Sequence, residues 1–247
     1  MNFADAGVLF GGGLLAGVFN TLAGGGSLLT VPLLVLVGLP GTVANGSNRV
    51  GVLAQSVAAA WRFRAQGVSG FRLAAPVVLP IVLGSLSGAY VISRVADETF
   101  EKLFGALMVL LLVPILWGAP APRGATARRP WSRRTAFLIF LCIGLYGGAF
   151  QAGVGIALVA ALSYAGYDLV RANSAKVVVN AALTASVLPV FLFQHQVAWL
   201  PGLMLATGYA MGGELGARLA VRGGERIIRP VLALAVVALA GKMAGFY

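Results

Sequence analysis

Gly17-Val18-Phe19-Asn20-Thr21-Leu22-Ala23-Gly24-Gly25-Gly26-Ser27-Leu28-Leu29-Thr30-Val31-Pro32 is the stretch that decides the fold of this chain. It lies inside an apolar run from Gly7 to Leu39. Three glycines in a row break a helix, because glycine loses more backbone entropy on ordering than any other residue and accepts φ values that others avoid. The flanking pieces, Gly7–Leu22 and Ser27–Leu39, are each shorter than the ~20 residues a full membrane span takes. Within hydrocarbon, bare backbone is tolerated only where protein buries it or where it lines a polar cavity. The run therefore reads as two short helices meeting at a break.

The rest of the chain places that break in a membrane. Of 247 residues, 59% are hydrophobic and 10% are charged, and the mean hydropathy is +0.92. Soluble domains carry about 25% charged residues. Disorder needs low hydrophobicity and high charge. Both classes are excluded, which leaves an all-α polytopic membrane protein with roughly eight to ten spans. The net charge of +11 would point to nucleic acid in a soluble chain. Here the basic residues sit in short gaps between apolar runs and set orientation instead, so no nucleic-acid partner is expected. Cys142 is the single cysteine; no disulfide, metal site or cofactor is expected. The start, Met1 to Asp5, has no basic segment, so no cleaved signal peptide is expected.

Further apolar runs are Val50–Phe63, Leu73–Ile92, Leu103–Trp117, Ala136–Phe150, Ile156–Gly166, Val177–Phe193, Leu200–Ala217 and Val231–Phe246. Residues 118–135 hold Pro120, Pro122, Pro130 and several arginines, and read as a linker between two halves, 1–117 and 136–247. The halves repeat. Gly25 and Gly153 differ by 128 positions (153 − 25), and the same offset pairs Ala44-Asn45 with Ala172-Asn173. It also pairs Phe63 with Phe191, Gln66 with Gln194 and Arg94 with Arg222.

Charge relates the halves. Arg62, Arg64 and Arg72 flank one gap, while its equivalent, 194–199, has no lysine or arginine. Arg94 and Lys102 are diluted by Asp97, Glu98 and Glu101, while the matching gap holds Arg218, Arg222, Arg226 and Arg229. The bias swaps, as it does in inverted-topology repeats. That reading needs about five helical segments per half, a cytoplasmic linker and both termini outside. Four kinked spans per half would make the repeats parallel, against the charge pattern. Trp61, Trp117, Trp131 and Trp199 fall near span ends, as an interfacial belt requires.

The break has a partner at Gly147-Gly148-Ala149-Phe150-Gln151-Ala152-Gly153-Val154-Gly155. Paired breaks at corresponding places mark transporter sites. A helix starting at Ser27 or Gly155 aims free N–H groups and a positive dipole end at the break, which suits a small anion. The same glycines also serve close helix packing. A polar cluster follows each break: Asn45-Gly46-Ser47-Asn48-Arg49, and Asn173-Ser174-Ala175-Lys176 with Asn180 beyond. The candidate substrate site is Asn20, Gly24, Gly25, Gly26, Ser27, Asn48, Arg49, Gln151, Gly153, Gly155, Lys176 and Asn180. Arginine and lysine both fit an oxyanion; they serve equally to cap a helix and reach the headgroups.

Glu214 is the one carboxylate inside an apolar run and a candidate for proton coupling, although Arg218 stands at the i+4 position for an ion pair. Gly84-x-x-x-Gly88 and Gly212-x-x-x-Gly216 read as helix contacts. Besides a carrier, two alternatives stand: a passive anion channel, and an intramembrane enzyme using Ser27 and His195, for which no nucleophile motif exists.

The chain resembles the sulfite exporter TauE/SafE family, also called the toluenesulfonate uptake permease family. The resemblance rests on Gly17 through Gly26 with Ser47-Asn48-Arg49, on Gly144-Leu145-Tyr146-Gly147-Gly148 with Asn173-Ser174-Ala175-Lys176 and Asn180, and on Gly216-Ala217-Arg218. It implies a secondary transporter of small, commonly sulfur-containing anions such as sulfite or sulfonates in the cytoplasmic membrane. The chain departs from the family pattern at Asn20, where an acid is common, and at Gly148, the corresponding position of the second repeat.

Overall fold

The computed structural model describes residues 3–116 and 131–222. Most of the basic linker, Trp117 and the last apolar run, Val231–Phe246, lie outside the described residues. Within them the chain is all helix: α1 (Phe3–Leu22), α2 (Ser27–Leu36), α3 (Gly41–Ala65), α4 (Phe71–Ile92), α5 (Asp97–Leu116), α6 (Arg133–Ala149), α7 (Val154–Tyr164), α8 (Leu169–Phe193) and α9 (Trp199–Val221). Among the described residues, α1, α4 and α8 are long and apolar enough to cross a bilayer.

The 128-residue offset reappears in the helix bounds, since α8 is α3 displaced by that number at both ends (169 − 41 and 193 − 65). Long, short, long, long is the order of α1–α4 and again of α6–α9. Both breaks fall where the glycines require. α1 stops at Leu22 and α2 starts at Ser27, with Gly24 at φ 86°. α6 stops at Ala149 and α7 starts at Val154, with Gly153 at φ 71°. Gln151 takes φ 60° without being glycine, a conformation that costs energy and persists only when its surroundings hold it.

Two boundaries differ most from the sequence reading. α3 begins at Gly41 rather than near Val50, and α8 at Leu169 rather than near Val177. The polar clusters therefore form the opening turns of long helices instead of connectors. The reason is local. Pro40 ends the preceding turn and leads into α3, and Asp168 caps α8 by accepting from the N–H groups of Val170 and Arg171. α6 likewise starts at Arg133, capped by Ser132, three residues before the apolar run that begins at Ala136.

Close glycine contacts fix how the helices run. Gly13 packs on Leu205 and Tyr209, and Gly17 on Tyr209 and Gly213, so α1 lies alongside α9 in the same direction. Gly51 meets Leu205 and Tyr209, and Gly213 meets Gln55, so α3 also runs with α9. Gly84 on Leu141 and Gly88 on Leu145 place α4 parallel to α6. Gly70 on Ser174, with Ser85 3.3 Å from Ser186, places α8 with them. α3 and α8 oppose one another, with Gly46 beside Phe191 and Ser56 bonded to Asn180. Three helices (α1, α3, α9) thus point one way and three (α4, α6, α8) the other. The Gly84/Gly88 and Gly212/Gly216 motifs act as close contacts between these helices.

This arrangement sorts the charges. Arg62, Arg64, Arg72, Arg133, Arg134, Arg171, Arg218 and Arg222 lie at one end of the bundle. Arg94 and Lys102 lie at the other, with Asp97, Glu98 and Glu101. There Asp97 accepts from the N–H and hydroxyl of Thr42, tying α5 to the start of α3.

Candidate functional site

The two breaks touch. A Cβ placed on Gly24 would lie 2.6 Å from the Cα of Gly155, and one on Gly155 would lie 2.5 Å from the Cα of Gly24. Only glycine at both positions allows this approach. Among the described residues, no backbone carbonyl accepts from the N–H groups of Gly25, Gly26 or Ser27, or from those of Gly153 or Gly155. In α2 backbone bonding resumes with Leu28 donating to Gly25; in α7 Val154 donates to Gln151 (3.4 Å), and the next bond runs from Ile156 to Gly153. Free donors of this kind, at the positive end of a helix, are how a protein offers hydrogen bonds to an anion.

Each broken helix ends on a cation distant in the chain. Arg49 on α3 is fully buried. It donates to the carbonyls of Gly147 and Gly148 (both 2.7 Å) and Ala149 (3.3 Å), the last turn of α6. Lys176 on α8 donates to the carbonyls of Asn20 (2.8 Å) and Thr21 (2.7 Å), the last turn of α1. A helix leaves its last carbonyls without partners and carries partial negative charge there, so a cation stabilises it. Lys176 also donates to Asn173 Oδ1 (2.8 Å), and Arg49 stacks over the ring of Phe191 (5.1 Å). Both cations therefore face inward; neither reaches toward headgroups.

A single polar chain joins the two. Arg49 donates to Gln151 Oε1 (2.6 Å), and Gln151 donates to Asn180 Oδ1 (2.7 Å). Asn180 donates to Ser56 (3.3 Å), and Ser56 to Gln55 Oε1 (3.4 Å). Gln55 accepts from Asn20 and donates to Thr21 (both 2.7 Å), which returns the path to the carbonyls held by Lys176. Gln151 is thereby held in its left-handed conformation from two sides. A side branch runs from Ser27, which accepts from Asn48 (3.0 Å), to Thr30, which donates to Asn48 Oδ1 (2.6 Å) and lies 3.0 Å from the Tyr209 hydroxyl.

Of the residues expected from sequence, Asn20, Arg49, Gln151, Lys176 and Asn180 share this network. Ser27 and Asn48 form its branch, and Gly26 supplies a carbonyl to Thr30. Gly24 and Gly155 form the cross-break contact, and Gly25 lies buried between its neighbours. Gly153 is placed differently: it caps α7 and packs against Leu111 of α5. The sequence reading missed Thr21, Thr30, Gln55, Ser56 and Tyr209. The signal for two of them was there, because Gln55-Ser56 are polar residues inside an apolar run.

Every Asp and Glu among the described residues is at least partly exposed, and none belongs to the network. Glu214 sits on the outer part of α9 and pairs with Arg218 at 2.5 Å, both side chains 45% exposed. Such pairs contribute roughly 0.5 kcal/mol or less. Glu214→Gln is accordingly expected to shift the melting temperature little and to leave the pH profile of transport unchanged; a flattened profile with intact folding would restore a coupling role. Ser27 is engaged with Asn48, while His195 lies in the turn after α8 at φ 56°.

The bundle is broken at two touching points, with buried cations and N–H donors there, and its likeness to known proteins places it among membrane transporters. The model of the sulfite exporter TauE/SafE family matches residues 9–243, and the chain belongs to that family. It is 27% identical to a probable membrane transporter protein, ORF9, of a Sinorhizobium species, over 94% of this chain and 89% of that one. It is 26% identical to the probable membrane transporter YfcA of Escherichia coli K12, over 96% and 88%. It is 30% identical to a probable membrane transporter protein of Xylella fastidiosa strain 9a5c, over 93% and 90%.

Proposed function

We propose that this protein is a secondary transporter that carries a small sulfur-containing oxyanion, sulfite or a sulfonate, between its two helix breaks near the bilayer midplane. One observation carries the reading: Arg49 is fully buried at the breaks, and every Asp and Glu among the described residues is at least partly exposed and outside its hydrogen-bond network. Burying charge without a counter-ion is costly. The carbonyl dipoles offset part of that cost, and an anion supplies the rest. Arg49 Nε is moreover a buried N–H with no partner among the described residues, a donor in need of an acceptor. The family's name supports sulfite as the first substrate to try.

The pairing of α1 with α6, α3 with α8 and α4 with α9 supports two repeats of opposite orientation, because each member runs against its counterpart. The basic end then faces the cytoplasm, both termini face outside, and the protein resides in the cytoplasmic membrane. In this scheme the cations are bolts between the repeats. An anion that draws Arg49 or Lys176 off its carbonyls frees the end of the other repeat's broken helix, and so couples binding to rearrangement.

The test is flux in liposomes holding the purified protein. Saturable sulfite uptake, competed by sulfonates and thiosulfate but weakly by monocarboxylates, is the expected result. Linear, unsaturable flux means a channel; no anion flux ends the proposal. Orientation is tested separately. Single cysteines at Gln66 and Gln194, in a Cys142→Ser background, are expected to label from opposite sides of the membrane. Labelling of both from one side would exclude inverted repeats.

A further inference from the structure

Equivalent contacts stand at the two ends of the bundle. At the basic end, the α3–α4 connection crosses the first turns of α8: Gly70 abuts the backbone at Ser174–Ala175, and Ser174 Oγ donates to the Val68 carbonyl (3.1 Å). At the other end, the α8–α9 connection crosses the first turns of α3. There Gly46 abuts the Gln196 carbonyl, Ala198 N–H donates to Ser47 Oγ (2.8 Å), and Gln196 Nε2 donates to the Ser93 carbonyl (2.8 Å).

The two mouths differ in charge. Against the α3–α4 connection at the basic end lies a cavity of about 730 Å³ walled by Val68, Ser69, Arg72, Asp168 and Arg171, among others. Arg72 and Arg171 are exposed, and Asp168, 3.4 Å from Arg171, neutralises part of the charge. The offset of 128 places Leu200 where Arg72 stands and Val43 where Arg171 stands at the opposite mouth. Orientation in the membrane asks only for basic residues at this end; it does not ask for two of them in the wall of one cavity directly against the α3–α4 connection.

We propose that this cavity is an anion-collecting vestibule, in which Arg72 and Arg171 hold a small oxyanion before the α3–α4 connection lifts from Ser174. The proposal rests on the transporter reading above. Cations in a concave wall raise the local concentration of anions and their rate of entry, and do so less as salt rises. The opposite mouth, with leucine and valine, takes anions without such assistance. The two directions of transport therefore differ in apparent affinity.

Two measurements test this. In the first, Ser69→Cys in a Cys142→Ser background is treated at low salt with negatively and positively charged methanethiosulfonates. The anionic reagent is expected to react about ten-fold faster, relative to each reagent's rate with a free small thiol, and Arg72→Gln with Arg171→Gln to bring the ratio near one. Equal rates in the unsubstituted vestibule overturn the proposal. The second measures sulfite flux in vesicles of each orientation. The double substitution is expected to raise the apparent KM several-fold for sulfite presented at the vestibule with kcat in that direction unchanged, while from the opposite side, since a carrier cannot move the equilibrium, the matching loss falls on kcat and not on KM. An equal rise from both sides, or none, overturns it. If the unsubstituted protein moves no sulfite, the transporter reading fails, while the thiol measurement still judges the vestibule.

Discussion

Arg49→Ala is expected to abolish transport and to lower the melting temperature measurably. The loss follows from the geometry. The guanidinium satisfies three carbonyls at the end of α6 and the side chain of Gln151 at once. Alanine leaves those acceptors buried without donors, and each such orphan costs about 1–3 kcal/mol. Gln151 then loses one of the two bonds that hold its φ of 60°, and the break relaxes. Arg49→Lys keeps the charge but lacks the planar fork. It is expected to regain much of the stability while leaving the apparent KM raised. Thermal unfolding in detergent and flux in liposomes measure both effects. An alanine variant as stable and as active as the parent would show that the cation is not the bolt between the repeats.

The breaks were legible because three glycines in an apolar run have few other physical explanations, and the offset then located the second break at Gly153. The inward cations were legible as residue types but not as roles. In sequence, Arg49 sits at the edge of an apolar run, where snorkelling is a sound expectation. The start of α3 at Gly41 moves it two turns into a helix and removes that option. What it binds, the cut end of α6, is nearly a hundred residues away in the chain, and no local pattern encodes such a pairing. The same holds for Tyr209, which reads in sequence as one more apolar aromatic; only the packing of α9 on α1 and α3 brings its hydroxyl to Thr30. Gln55 and Ser56 are the opposite case. Polar side chains in an apolar run are expensive unless partnered, so their position alone could have marked them as interior, although the sequence reading passed over them.

The glycine at which the breaks meet carries the second large effect. Gly155→Val is expected to abolish transport while the protein still inserts, because the first added carbon meets the Cα of Gly24 at 2.5 Å, its carbonyl oxygen at 3.2 Å and the Lys176 stem at 3.2 Å. Backbone cannot yield as a side chain can, so the two breaks must separate, at a cost of about 1–3 kcal/mol for the overpacking. Gly24→Val meets the same obstacle from the other side and adds the strain of a φ of 86°. Gly153→Val keeps the φ strain but meets only the flexible end of Leu111, so it is expected to reduce transport less than Gly155→Val does. Gly11→Val, on α1 with open space around it, serves as the control and is expected to transport normally. Flux in liposomes, scaled to the amount of inserted protein, gives the order. Normal transport by Gly155→Val would mean that the contact between the breaks is packing alone, and would move the anion's path away from them.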